Sequence, residues 1–199
     1  MPRALGTGGQ AKELTATEIA RISQHLLEHS NASRNLAIFQ LGLGSGLRIG
    51  EICSLRLGDV YNGRQILDEI RLGWERCKSG RSRTVALSLH ARASLQYYLQ
   101  YRLLFGTDPR LPLFLCEGSQ RPLLTNSAMK MLKHAFEAVG IPQASSHSLR
   151  RTHANALRRN GVDLKVIQSQ LGHSSLAVTE KYLSVDPAEQ RSAVAGLEF

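Results

Sequence analysis

Two arginines, one lysine, two histidines and one tyrosine stand out in this chain: Arg48, Lys78, His147, Arg150, His173 and Tyr182. Guanidinium groups grip planar anions through paired hydrogen bonds, and phosphate is such an anion. An ammonium group on a turn can hand a proton to a departing oxygen. A tyrosine hydroxyl can attack and form a covalent link. The set suits phosphoryl transfer to a tyrosine. Taken singly, each member has a plainer reading. Arg48 with Glu51 three residues on matches an ordinary surface ion pair. A lone tyrosine such as Tyr182 is usually a core or interface residue. The joint occurrence carries the chemical reading.

Four segments hold these residues. GSGLRIGEICSLRLGDV covers 44–60 and puts Arg48 at a helix start. A cation there opposes the helix dipole, unless it faces an anion that the same helix end attracts. Glu51 is placed to brace it. RCKSGRSRTV covers 76–85 and crowds Arg76, Lys78, Arg81 and Arg83 on one turn, with no acid among them. HSLRRTHANALRRNG covers 147–161, and the spacing of His147 and Arg150 puts both on one helical face. His153 reads as a packed or capping histidine, and Arg151 as a phosphate-reaching or solvated charge. LGHSSLAVTEKYL covers 171–183, with His173 just after a helix-ending Gly172 and Tyr182 on the next short helix.

The elements that must position these groups are mostly helical. Thr15 and Glu18 form a capping box, and Leu14 with Ile19 a hydrophobic staple, at the start of a first helix. A second helix is predicted from Ser33 to Leu43, broken by Gly42, Gly44 and Gly46. A third runs from Arg48 to Leu55. Ile66, Leu67 and Ile70 within Gln65–Arg71, and Thr84 and Val85 within Arg83–Leu87, predict an antiparallel hairpin around Cys77-Lys78-Ser79-Gly80. Helix returns from His90 to Phe105, and Leu113–Cys116 reads as a short strand. Further helices are expected from Thr125 to Gly140, from Ser146 to before Gly161, from Asp163 to Gly172, after Ser175, and from Pro187 to Leu197. The fold class is mostly α (α+β), with a small antiparallel β-sheet at one edge. Residues 1–13 read as a flexible N-terminal arm and 14–199 as one domain.

Composition narrows the class. The chain has 199 residues, with 25 Lys and Arg against 16 Asp and Glu, a formal charge of +9. Arginine far outnumbers lysine. A basic protein of this kind most often meets nucleic acid. No apolar run reaches transmembrane length, and the first residues hold no apolar core of signal-peptide type. Three scattered cysteines, Cys53, Cys77 and Cys116, make no disulfide framework. The expected compartment is the cytoplasm. No metal site is expected: there is no HExxH or paired CxxC, and His147 and His153 lack nearby acidic ligands. No glycine-rich phosphate loop with a following Lys-Ser/Thr is present, so no nucleotide cofactor is expected.

The order Arg…Lys…His-x-x-Arg…Gly-His…Tyr resembles the tyrosine recombinase (lambda-integrase, phage integrase) family. Gly46-Leu47-Arg48-Ile49-x-Glu51-Ile52-x-x-Leu55 is similar to its first box. His147-x-Leu149-Arg150-x-Thr152 is similar to its second. Leu171-Gly172-His173-Ser174-Ser175 followed by Tyr182 keeps the family's step from histidine to tyrosine. The resemblance covers about residues 14 to 185.

It implies a helical catalytic domain of the DNA breaking–rejoining kind, acting on double-stranded DNA without metal or ATP. Tyr182 would be the nucleophile that forms a 3′-phosphotyrosyl link. Arg48 and Arg150 would hold the nonbridging oxygens, with Glu51 orienting Arg48. His173 would add a hydrogen bond, Lys78 would protonate the leaving 5′-oxygen, and His147 would take the tyrosine proton or hold the phosphate. Arg76, Arg81, Arg83 and Arg151 would contact DNA. The resemblance also implies assembly as a dimer or tetramer on DNA, possible accessory DNA-bending proteins, and a bacterial, nucleoid-associated place of action. Members of the family carry a separate core-binding domain ahead of this one. Only a short arm stands here, as in the short members resembling fimbrial phase-variation invertases, or in a catalytic fragment. The same residue kit would serve a type IB topoisomerase-like nicking–closing enzyme. A DNA-binding regulator derived from a recombinase is the reading outside catalysis.

Overall fold

The computed structural model describes residues 10–76, 80, 82–180, 182–183, 191 and 194–195. Cys77, Lys78 and Arg81 lie outside the described residues, as does most of the helix expected over 187–197. The elements run α1 (Ala16–Leu27), α2 (Ala32–Ser45), α3 (Ile49–Cys53), α4 (Leu57–Val60), β1 (Glu69–Leu72), β2 (Arg83–Ala86), α5 (Leu89–Arg102), α6 (Thr125–Ala138), α7 (Ser146–Arg159), α8 (Leu164–Leu171) and α9 (Leu176–Glu180). The protein is mostly helical, with a small two-stranded antiparallel sheet. Among the described residues, no helix is long and apolar enough to cross a membrane.

Helix α2 is the central strut. It packs on α5, α7 and α1. Its apolar residues point to more than one side, so its faces feed two cores. One core joins Ile38, Leu41, Ile52, Leu55, Leu95 and Leu99. The other joins Ile22, Leu26, Phe39, Leu132, Phe136 and Leu149. The capping box at Thr15 forms as its spacing predicts, and Leu14 and Ile19 share the second core. Thr152 Oγ1 accepts from the Leu14 amide at 2.9 Å, which ties the start of α1 to the middle of α7.

The glycines after Leu41 act differently from the expectation. Helix α2 runs through Gly42 and Gly44 to Ser45 and is capped by Gly46. A Cβ on Gly42 would meet Leu149 Cδ1 at 2.7 Å. The residue is there to let α7 lie close, and the helix gains from that packing more than it loses in propensity. Gly46 does end the helix. Its φ of 67° is left-handed, and a Cβ there would meet His153 Cδ2 at 2.7 Å and Leu171 Cδ2 at 2.8 Å.

The hairpin is shorter than its apolar pattern. Ile70 pairs with Val85 and Leu72 with Arg83. Ile70, Leu72 and Val85 turn inward, while Glu69 and Arg71 face out. Ile66 makes only an isolated bridge to Tyr61, so the strand expected from Gln65 starts at Glu69. Leu113–Cys116 is no strand either. Leu115 bridges Pro122, and the Leu113 amide donates to the Leu55 carbonyl at 2.8 Å. Prolines at 112 and 122 deny the segment a continuous ladder. Helix α4 was not foreseen, being a single turn held by Asp59 and the Arg56 amide.

Candidate active site

The centre of the site is Arg150. It lies in the second turn of α7 and is 1% exposed. Its Nη1 donates to the Gly46 carbonyl and its Nη2 to the Leu171 carbonyl. Both acceptors sit at helix C-termini, where carbonyls are left over by the ladder and carry partial negative charge. So α2 and α8 end against one guanidinium. Burial first, and then the charge of Arg48, pushes the Arg150 pKa down to about 10. It therefore stays protonated at neutral pH. Its Nε–H is buried without a hydrogen-bond acceptor among the described residues.

Arg48 caps α3, and the sequence signal for its brace is met. Glu51 Oε1 pairs with Arg48 Nη1 at 3.1 Å, and Oε2 accepts from the Arg48 amide at 2.8 Å. The same Oε2 accepts from Arg83 Nη2 at 2.9 Å. One carboxylate thus serves two arginines from two elements. Burial would raise the Glu51 pKa, but the bonds from Arg83 and the Arg48 amide outweigh it and hold the pKa below the ordinary carboxylate value.

Tyr182 stands just past α9. Its ring centroid is 5.7 Å from Arg150 Cζ and 4.9 Å from the His173 ring. Its amide donates to the Thr179 carbonyl at 2.9 Å, and its carbonyl accepts from Asn155 Nδ2 at 3.1 Å. His173 follows the C-cap Gly172 of α8 and is 7% exposed. Its Nδ1 lies 3.0 Å from the buried Thr179 Oγ1. Burial first, then the charges of Arg150, Arg48 and Arg83, pushes its pKa down to about 3. The imidazole is neutral, and three cations set its electrostatic surroundings. His147 is exposed at the start of α7. With Arg151 and Tyr182 it lines a cavity of about 500 Å³.

The other predicted contacts divide. Arg83 is buried against Glu51, and Arg76 is paired with Asp59. The turn from 76 to 83 carries no acid of its own, but the fold supplies acids from α3 and α4. Arg151 Nη1 donates to the Ala11 carbonyl at 2.9 Å, and Arg159 pairs with Glu13, so residues 11–13 lie along α7. Lys78 and Arg81 lie outside the described residues. His153 is a packed histidine: its Nδ1–H donates to the Leu43 carbonyl at 2.8 Å. Cys53 is buried, which pushes its thiol pKa up to about 11.

Two residues of the site escaped the sequence reading. Thr179 holds His173, and Asn155 holds the backbone at Tyr182. Thr179 had a signal, since it stands one helical turn before the tyrosine. Asn155 had none beyond sharing a helix with Arg150.

Comparison with known proteins decides the family. The model of the phage integrase family matches residues 12–189. The chain belongs to the phage integrase family. Over 158 residues it is 32% identical to tyrosine recombinase XerC of Pelobacter propionicus, covering 79% of this chain and 50% of that protein. It is 28% identical to tyrosine recombinase XerA of Pyrococcus furiosus, covering 92% of this chain and 60% of that one. The crystal structure of XerA recombinase superposes with a TM-score of 0.77 and 26% identity, over 96% of this chain and 68% of that chain. XerH site-specific recombinase, in a post-cleavage complex on palindromic difH substrate, shares the fold with a TM-score of 0.75 at 21% identity, over 96% of this chain and 54% of that one. This integrase-family domain spans about half the length of the curated relatives it matches.

Proposed function

We propose that this domain is the catalytic unit of a site-specific DNA recombinase, with Tyr182 as nucleophile. The observation that carries the reading is the seat of Arg150. A buried guanidinium, held by two backbone carbonyls, keeps its charge beside the ring of Tyr182. The His173 ring lies 4.9 Å from that of Tyr182, and the charge of Arg48 acts on both Arg150 and His173. Such a field favours a phosphate oxygen whose charge grows in a transition state. Family membership and relatives named as tyrosine recombinases support the same reading.

The step balances with this chain's own groups. The Tyr182 oxygen attacks the scissile phosphorus, a phosphorus–tyrosyl bond forms, and the bond to the 5′-oxygen breaks. His147, in the same cavity as Tyr182, takes or shares the phenolic proton. Lys78 gives a proton to the leaving 5′-oxygen. Arg48 and Arg150 carry the nonbridging oxygens, and His173 donates one further bond. The phosphotyrosyl link keeps the bond energy, so a 5′-hydroxyl from another strand can reverse the attack without ATP. Double-stranded DNA is the substrate. A dimer or tetramer on DNA, accessory DNA-bending proteins and action at the bacterial nucleoid follow from the same reading.

Covalent trapping tests it. Wild type and Tyr182→Phe are mixed with nicked duplexes drawn from DNA flanking the native gene. An SDS-resistant adduct that the variant lacks is the expected result. An adduct that persists in Tyr182→Phe, or tight binding with no adduct on any flanking duplex, overturns the assignment.

A further inference from the structure

The sequence holds no HExxH or paired CxxC. The fold brings three histidines together away from the phosphate site. His25 lies in the last turn of α1, and His29 follows one residue past its C-cap, Glu28. His134 comes from α6. The His25 and His29 rings are 4.1 Å apart, edge to face, and the His25 and His134 rings 6.0 Å apart. One nitrogen from each of the three lies within 4.8 Å of the others. Among the described residues, no other group of three or more histidine, cysteine or acidic side chains gathers its ligand atoms this closely.

We propose that His25, His29 and His134 bind one divalent cation of the zinc class, which clamps α1 to α6. Imidazole nitrogens select zinc, copper and nickel over magnesium and calcium. Tetrahedral zinc with nitrogens at about 2.0–2.1 Å puts neighbouring ligand atoms about 3.3 Å apart. Closing from 4.8 Å is a shift of at most about 1.5 Å between ligand atoms. His29 and His134 are exposed and free to turn, while His25 is half-buried. The backbones beneath are already fixed, because Ile22 and Leu26 of α1 share a core with Leu132 and Phe136 of α6. The ion therefore finds its ligands in place, with a fourth position left to water. No residue of the phosphate site belongs to the cluster, so the metal's role is to fasten α1.

Titrating the purified full chain with Zn²⁺ alone, by calorimetry, tests this. The expected result is one ion per chain at low-micromolar affinity, and no binding of Mg²⁺. His29→Ala and His134→Ala should each weaken zinc by about 30-fold or more, since one ligand of three is lost. At about 100 times the wild-type dissociation constant, zinc should raise the melting temperature of wild type by about 5 °C and of either variant by no more than about 2 °C. His134→Gln, which keeps a long polar side chain, guards against a fold defect and should behave as His134→Ala. Zinc affinity within a few-fold of wild type in these variants overturns the site. So does the absence of binding to wild type, or binding that alkylation of the thiols removes.

Discussion

Glu51 and Arg83 meet at 2.9 Å with both side chains almost wholly buried, at 5% and 8% exposure. The pair links α3 to β2, and the same carboxylate also holds Arg48. Breaking a buried pair by removing one partner leaves a charge uncompensated, at a cost of about 3–5 kcal/mol. Glu51→Gln keeps the shape and removes the charge. It should lower the urea midpoint accordingly, and slow adduct formation more than Arg83→Met does, because Arg48 loses its brace as well. Equal stability of Glu51→Gln and wild type would show that the pair contributes nothing.

Thr179 is the residue through which α9, just ahead of Tyr182, holds His173. If His173 donates from Nε2 as proposed, its Nδ1 accepts and the threonine hydroxyl donates to it. Thr179→Val removes that donor at nearly constant volume. Adduct formation should slow by about tenfold, the worth of one well-made hydrogen bond of about 1.4 kcal/mol. Thr179→Ser should restore most of the rate, and DNA affinity should hold in both. A rate in Thr179→Val within twofold of wild type would remove Thr179 from the positioning of His173.

Much of this was legible in the sequence because the signals are local. The Thr15 box, the start of α3 at Arg48, the Arg48–Glu51 brace and the glycine after α8 each depend on residues a few places apart. What escaped depends on contacts made far along the chain. Arg83 pairs with Glu51, on another element, so a basic residue read as a DNA contact is tied into the fold. Gly42 looked like a helix breaker because nothing nearby shows that Leu149 will press against it. The gathering of His25, His29 and His134 likewise needs α6 to lie beside α1.

Gly46 is where the backbone geometry and the site coincide. Its left-handed φ of 67° penalises any side chain, and its carbonyl holds Arg150 Nη1. Gly46→Ala incurs about 1–2 kcal/mol for the left-handed backbone. It adds about 1–3 kcal/mol for pressing a methyl against His153 and Leu171. The melting temperature should fall by about 4–20 °C. Adduct formation should fall further than stability alone accounts for, because the Arg150 seat shifts. A variant as stable and as active as wild type would mean that α2 can end without Gly46.

The two buried histidines make stability depend on pH. His153 is held near a pKa of about 4, first by burial and then by the charge of Arg150, against the pull of its bond to Leu43. His173 is held near about 3. In the unfolded chain both titrate near 6.5. Between 6.5 and about 4 the unfolded chain therefore binds protons that the folded chain does not. Stability rises with pH in that window and falls as acid is added. Each histidine contributes a slope of up to about 1.4 kcal/mol per pH unit. Glu51, with a pKa held below 4.5, adds its loss only under that value. Urea midpoints taken across the window should drop steadily towards acid. In His153→Gln the slope should be shallower by one histidine's share, whatever the offset in stability. A flat profile from pH 6.5 down to about 4.5 would mean that neither imidazole is kept neutral by the fold.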